Sequence, residues 1–156
     1  MKLTIVAVGE KLPAWAEAAT TEYLKRMPRE ARVELREVVA TRRSSRGDAR
    51  AAMKAEAERI IAAIPAGARR IILDEGGQAM DTRTFSRFLE RALADGTPLA
   101  FVIGGADGLH PDVKRSADRM LSLSALTLPH ALARVLLAEQ LYRAMSLLKG
   151  HPYHRE

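Results

Sequence analysis

The sequence predicts an α/β protein built on an open, mostly parallel sheet with helices on both faces. Three observations carry that expectation. Short, predominantly apolar runs recur along the chain, as in Leu3-Thr4-Ile5-Val6-Ala7-Val8, Arg70-Ile71-Ile72-Leu73 and Leu99-Ala100-Phe101-Val102-Ile103. Segments with helical spacing separate them, and glycine- or serine-studded turns follow the strands directly. Strands buried on both faces read as continuous hydrophobic runs, and their alternation with helices is the pattern of a parallel sheet.

The elements follow in order. Leu3 to Val8 is a buried strand ended by Gly9, and Pro13 opens a helix that runs to about Met27 and closes at Pro28. Val33 to Val39 alternates apolar and charged residues and reads as a half-exposed strand. A polar, basic loop from Thr41 to Gly47 comes next; Asp48 can cap a helix to about Ile64, which Pro65-Ala66-Gly67 terminates. Arg70 to Asp74 is the third strand, turned by Gly76-Gly77. Asp81 or Thr82 starts a helix with Phe85, Phe88, Leu89, Ala92 and Leu93 on its inner stripe. Leu99 to Ile103 is the fourth strand, Pro111 begins a short helix, and Met120 to Leu123 is the fifth strand. Pro129 suits the first turn of a last helix that reaches about Lys149.

At 156 residues the chain suffices for one domain with a real core, so residues 1–156 are expected to fold as a unit. Hydrophobic residues make up 47% and charged residues 28%, which argues against disorder. Aromatics are only 4%, so a row of rings stacking on single strands is not expected. The absence of cysteine excludes disulfides, thiolate zinc sites and cysteine nucleophiles, and fits a cytoplasmic protein. The first strand is too short for a signal core and no segment approaches membrane-spanning length, so neither export nor membrane insertion is expected. The net charge of +6 suits a polyanion such as nucleic acid, and equally suits a protein that is merely arginine-rich.

Chemistry is expected where strand ends converge. Leu73, Gly104 and the segment Leu123-Ser124-Ala125-Leu126-Thr127-Leu128 each stand at or just past the C-terminal end of a strand. In an open parallel sheet those ends are neighbours and form the ligand crevice. The pocket they describe offers main-chain groups and leucines with little charge, which fits a purine and not a triphosphate. No G-x-x-x-x-G-K-[ST] occurs, nor a G-x-G-x-x-G after the first strand. Gly76-Gly77 reads as a turn serving packing, whereas Gly104-Gly105-x-x-Gly108 reads as part of the pocket. His130, at the start of a helix, is either a ligand contact or a capping and packing residue. On the last helix, Glu139 and Arg143 have the spacing of an ordinary intrahelical ion pair, while apolar residues on most sides point to a dimer interface. His110, His130, His151 and His154 lack metal-ligand spacing, so no metal is expected. Paired-carboxylate and serine-elbow chemistry find no support in the positions of Asp74, Glu75, Asp107, Ser122 and Ser124.

Taken together, Leu3-x-Ile-x-Ala-Val-Gly9, Ile72-Leu73-Asp74, Phe101-Val-Ile-Gly-Gly105-x-x-Gly108-Leu109, Leu121-Ser-x-Ser124-x-x-Thr127-x-Pro129-His130, Arg134-Val-x-Leu-x-Glu-Gln140-x-Tyr-Arg143-Ala144 and the terminal His-Pro-Tyr-His-Arg-Glu span the whole chain. In colinear order they resemble the ribosomal RNA large subunit methyltransferase H family, small SPOUT-class enzymes that methylate N3 of a pseudouridine in 23S rRNA of assembled ribosomes. One departure stands out: Gln78 occupies a position where that family usually carries lysine.

The resemblance implies a deep C-terminal trefoil knot, a rare exception among folds. It also implies an obligate homodimer and S-adenosylmethionine held by Leu73, Gly104, Leu123, Ser124, Ala125, Leu126, Thr127 and Leu128. N3 must lose a proton during the transfer, so a base or a stabiliser of the imide anion is required. The candidates are Tyr153, His154 and Arg143, with His130 and Arg155 against the substrate. The tail is expected to reach the pocket of the partner subunit. Two competing readings are a non-catalytic RNA- or ribosome-binding dimer on the same fold, and a nucleotide-binding enzyme of other chemistry. Calorimetry with S-adenosylmethionine separates the first from an enzyme.

Overall fold

In the computed structural model the described residues are 2–9, 12–40, 49–106 and 108–155. Five strands, β1 (Leu3–Val8), β2 (Val33–Val38), β3 (Arg69–Ala79), β4 (Leu99–Ile103) and β5 (Arg119–Ser122), form one sheet in the order β2-β1-β4-β3-β5, with every pairing parallel. Among the described residues five helices connect and follow them: α1 (Ala14–Lys25), α2 (Ala49–Ala63), α3 (Thr82–Asp95), α4 (Pro111–Arg115) and α5 (His130–Leu148). A short 3-10 turn at Arg29–Ala31 precedes β2. The expected α/β order is thus observed. Asp48 and the basic loop at 41–47 lie outside the described residues.

Alternation along the strands divides the core between two faces. On one side Leu3, Ile5 and Ala7 of β1 pack with Phe101 of β4 and Ile71 of β3 beneath Phe85 and Leu89 of α3 and Leu137 and Leu141 of α5. On the other, Val6, Val8, Ile72 and Val102 meet Ala57 and Ile60 of α2, Ile64 just past its end, and Val113 of α4. Leu3, Ile5, Phe101, Leu137 and Leu141 have no exposed surface, and each such side chain contributes about 1.5–3 kcal/mol through burial. β1 and β4 are buried at every position, Thr4 being the one polar residue in them, whereas β2, at the sheet edge, is mixed.

Helix termini form where the sequence places capping groups. The Asp81 side chain accepts from the Thr84 amide at 2.7 Å, and this bond holds its carboxyl below the usual range. Pro129 is the N-cap of α5, so His130 is its first helical residue. α5 lies between α1 and α3, with contacts to both. Its apolar residues on most sides therefore have partners within the chain.

Three strands depart from expectation, β2 only by ending one residue early at Val38. β5 begins and ends one residue earlier than the sequence suggests, leaving Leu123 just beyond it. β3 does not end at Asp74. It pairs with β5 at Leu73–Leu121, leaves the ladder for residues 74–77, and rejoins it at Gln78, opposite the same Leu121. Gly76 and Gly77 thus belong to an excursion within the strand. No described helix is long and apolar enough to cross a membrane.

Candidate active site

The excursion within β3 and the C-terminal ends of β4 and β5 open on a cavity of about 810 Å³. Leu73 and the β3 excursion form one wall, and Ile103, Gly104, Gly105 and Leu109 form a second. Leu123, Ser124, Leu126, Thr127 and Leu128 supply the third, and Pro129, His130 and Ala133 at the start of α5 close the base. Seven of the eight positions expected around an adenosyl group therefore face one space. Ala125 does not line it; this residue points to solvent at the tip of the turn.

Local interactions shape each wall. Ser122 Oγ donates to the Ser124 carbonyl at 2.9 Å, and Ser124 Oγ accepts from the Leu126 amide at 2.9 Å, so side chains of the turn itself fix its backbone. Leu126 is 75% exposed although it is a leucine, which leaves an uncovered apolar surface at the mouth of the cavity. A Cβ on Gly104 would stand 2.9 Å from Leu109 Cγ and 3.1 Å from the Gly108 carbonyl carbon, so only glycine allows this fold of the loop. Asp74 and Glu75 also line the space. Asp74 is held by Lys114 at 3.1 Å and by the Gly76 amide at 3.0 Å.

Gln78 does not line the cavity; its Oε1 lies 3.3 Å from Arg119 Nη1. His130 does line it, half-buried, with its Nε2 3.9 Å from where a Cβ on Gly9 would stand. His110 is spoken for elsewhere, since it caps α4 by accepting from the Asp112 amide at 3.0 Å. Among the described residues no group of His, Asp or Glu is arranged to hold a metal ion.

Arg134, one turn beyond His130, opens one of the motifs of the resemblance, and the sequence assigned it no role. Its side chain is 1% exposed; Nη1 donates to Glu37 at 2.8 Å and Nη2 to the Gly9 carbonyl at 3.2 Å. The guanidinium thus ties the ends of β1 and β2 to the helix that carries His130. Arg134→Ala is expected to lower stability by about 2–4 kcal/mol in urea unfolding. Glu37 is partly solvated, so most of that loss comes from the emptied volume and the stranded Gly9 carbonyl rather than from a buried unpaired charge. Unfolding at the parental midpoint would show that the contact carries no weight.

Arg143, Tyr153 and His154 lie together, but not at this cavity. Arg143 bonds Glu139 at 2.7 Å and lies 3.3 Å from His154 Nδ1, and the Tyr153 hydroxyl donates to Glu139 at 3.1 Å. Tyr153 packs on Tyr142 with ring centres 4.6 Å apart, and Tyr142 leads on to Tyr23 of α1. Burial raises the Tyr153 phenol above its ordinary value, helped by hydrogen bonding with Tyr23 and by the Glu139 carboxylate. The bond to Glu139 likewise raises Arg143. From Ala133 at the cavity to Arg143 is ten helical residues, or about 15 Å along α5. Arg155 is exposed and has no partner among the described residues.

Comparison with known proteins agrees with this architecture. A family model described as "Predicted SPOUT methyltransferase" matches residues 1–154. The sequence is 52% identical over 155 residues to ribosomal RNA large subunit methyltransferase H of Burkholderia cenocepacia strain HI2424, covering 99% of both chains. It is 50% identical, with the same coverage, to the protein of that name from Nitrosospira multiformis. Among solved structures, a probable methyltransferase from Bordetella pertussis Tohama I superposes with a TM-score of 0.58 at 18% identity, over 92% of this chain and 93% of that one. A ribosomal RNA small subunit methyltransferase E from Neisseria gonorrhoeae, bound to S-adenosyl methionine, gives 0.51 at 11% identity, over 95% and 66%. These structural likenesses speak for the fold, while the sequence matches run nearly end to end. The chain therefore belongs to the SPOUT methyltransferase family, alongside the ribosomal RNA large subunit methyltransferases H.

Proposed function

We propose that this chain transfers a methyl group from S-adenosylmethionine to N3 of a pseudouridine in 23S rRNA of the assembled ribosome, as a cytoplasmic homodimer. The observation that carries the reading is the convergence of Leu73, Gly104, Leu123, Ser124 and Leu126 to Leu128 on one leucine-walled cavity, in a chain whose relatives at half identity are rRNA methyltransferases. Apolar side chains and turn backbone fit an adenosyl group, and the volume is ample for the whole cofactor. Bound there, S-adenosylmethionine supplies the activated methyl group.

The chain's own residues then bind, orient and exclude water. Leu73, Leu123, Leu126 and Leu128 cover the faces of a purine, and main chain at Gly104 and at the 123–128 turn meets its edge. His130, at the cavity floor, positions the target base. The N3 proton passes to the His154 imidazole as the new N–C bond forms, and positive charge from Arg143 and Arg155 stabilises the imide as it loses that proton. Tyr153, its one O–H proton already given to Glu139, presents its hydroxyl oxygen as an acceptor and its ring as a wall for the base. Because the tail cluster lies about 15 Å along α5 from the cavity of its own chain, a partner chain supplies it. Trp15, 56% exposed on α1, is an apolar surface available to such a partner.

The test is incubation of ribosomes lacking the modification with the protein and isotopically labelled S-adenosylmethionine, followed by mass spectrometry of 23S rRNA. One labelled methyl on N3 of a pseudouridine is expected. Absence of cofactor binding by calorimetry, or methyl transfer to another atom, overturns the reading.

A further inference from the structure

The polar groups at the C-terminal half of α5 converge on Glu139. Its Oε1 accepts from Arg143 Nε at 2.8 Å, from Arg143 Nη2 at 2.7 Å and from the Tyr153 hydroxyl at 3.1 Å. Its Oε2 accepts from Gln140 Nε2 at 2.7 Å. Gln140 in turn accepts from Thr82 Oγ1 of α3, also at 2.7 Å. Arg143 extends the set into the tail, with Nη1 3.3 Å from His154 Nδ1 and its guanidinium 4.8 Å from the centre of the Tyr153 ring.

An exposed i,i+4 ion pair has one partner and contributes little, because water competes for both ends. Glu139 differs on both counts. Its side chain is 14% exposed, and it takes four donor atoms from three residues, one of them fourteen positions away in sequence. Charge-assisted bonds are the strong ones, and here they fall on residues 151–155, which have no helix or strand of their own. Without such an anchor, Tyr153 and His154 would sample many rotamers, and the entropy of fixing them would be charged to catalysis.

We propose that Glu139 is a positioning residue of the methyl-transfer site: its carboxylate fixes the Tyr153 phenol and the Arg143 guanidinium, and through Arg143 the His154 imidazole, as one preformed group steadied from α3 by Thr82 and Gln140. The assignment rests on the reading that the tail takes part in methyl transfer. It differs from a merely structural ion pair because its effect is on the orientation of tail groups and leaves the cofactor cavity untouched.

The test uses the full-length chain with ribosomes as substrate. Glu139→Ala removes the anchor, and Glu139→Gln keeps its volume while removing the charge and turning an amide donor toward Arg143 or Tyr153. In both, kcat is expected to fall about tenfold or more, since small misplacements of reacting groups are costly. The KM and the calorimetric affinity for S-adenosylmethionine should stay within about twofold, as expected for a distant site. Carboxypeptidase should release the last residues several-fold faster than from the parent. In a Tyr153→Phe background, Glu139→Gln should lower kcat less than it does alone, because both substitutions remove the same contact. An unchanged kcat in a folded variant overturns the proposal, as does a loss that appears only as weaker cofactor binding with the tail equally protected. If removal of residues 153–156 abolishes methylation while Glu139→Gln remains fully active, the proposal fails and the role of the tail stands. If the truncated chain is fully active, both fail.

Discussion

Gly77→Ala is expected to destabilise the protein by roughly 3 kcal/mol or more, lowering Tm by about 6–12 °C. A Cβ at this position would lie 2.7 Å from the Met120 carbonyl carbon and 2.8 Å from both the amide nitrogen and the carbonyl carbon of Leu121. These are backbone atoms of β5, which cannot turn aside as the end of a flexible side chain can. β5 would have to move, and its pairing with β3 on both sides of the 74–77 excursion runs through Leu121. The cavity turn begins two residues later at Leu123, so cofactor affinity should fall together with stability. Gly76→Ala is the matched control. Its Cβ would meet only Asp74 Oδ2, at 3.1 Å, and that carboxylate can shift, so the change should stay within about 1 kcal/mol. Thermal unfolding of the two variants side by side decides the matter; equal Tm values would show that the strands separate there without penalty.

That same glycine marks how far the sequence could be read. Predominantly apolar runs made β1 and β4 legible, because burial on both faces leaves Thr4 as the single polar position in either strand. The convergence of Leu73, Gly104 and the 123–128 turn followed from a general property of parallel sheets, and the cavity forms at those residues. Ala125 escaped because a turn of six residues cannot point every side chain inward, and no periodicity tells which one faces out. The excursion in β3 was hidden since Asp-Glu-Gly-Gly-Gln carries only a turn signal, while the resumed pairing at Gln78 depends on a strand some forty residues away. Glu139 looked like an ordinary ion-pair partner for a similar reason. Its other contacts come from a tail that folds back after Gly150 and from Gln140, which α3 holds, neither visible in local spacing. The role of Arg134, present only as one letter of a motif, was equally hidden, since its partners, Glu37 and Gly9, lie about a hundred residues earlier.

Removal of residues 153–156 is expected to lower kcat on ribosomes by about a hundredfold or more while leaving S-adenosylmethionine binding intact. The tail groups lie far along α5 from the cavity of their own chain, so their loss should not disturb the leucine walls. Stability should drop by only about 1 kcal/mol, chiefly from the lost packing of Tyr153 on Tyr142. Subunit mixing then shows which chain's tail serves which cavity. Leu126→Arg places a cation on the exposed rim of the cavity and should block cofactor binding without harming the fold, since Leu126 is 75% exposed. A homodimer of either variant should be inactive. In a mixed dimer, the tail of the Leu126→Arg chain can serve the intact cavity of the truncated chain only if tails act across the interface. Random pairing of equal amounts should then recover about a quarter of the parental activity, because half the dimers are mixed and each has one complete site. No recovery, in samples shown to exchange subunits, would mean that each tail serves its own chain, and the distance along α5 would have to be closed by a movement of the tail within one protomer.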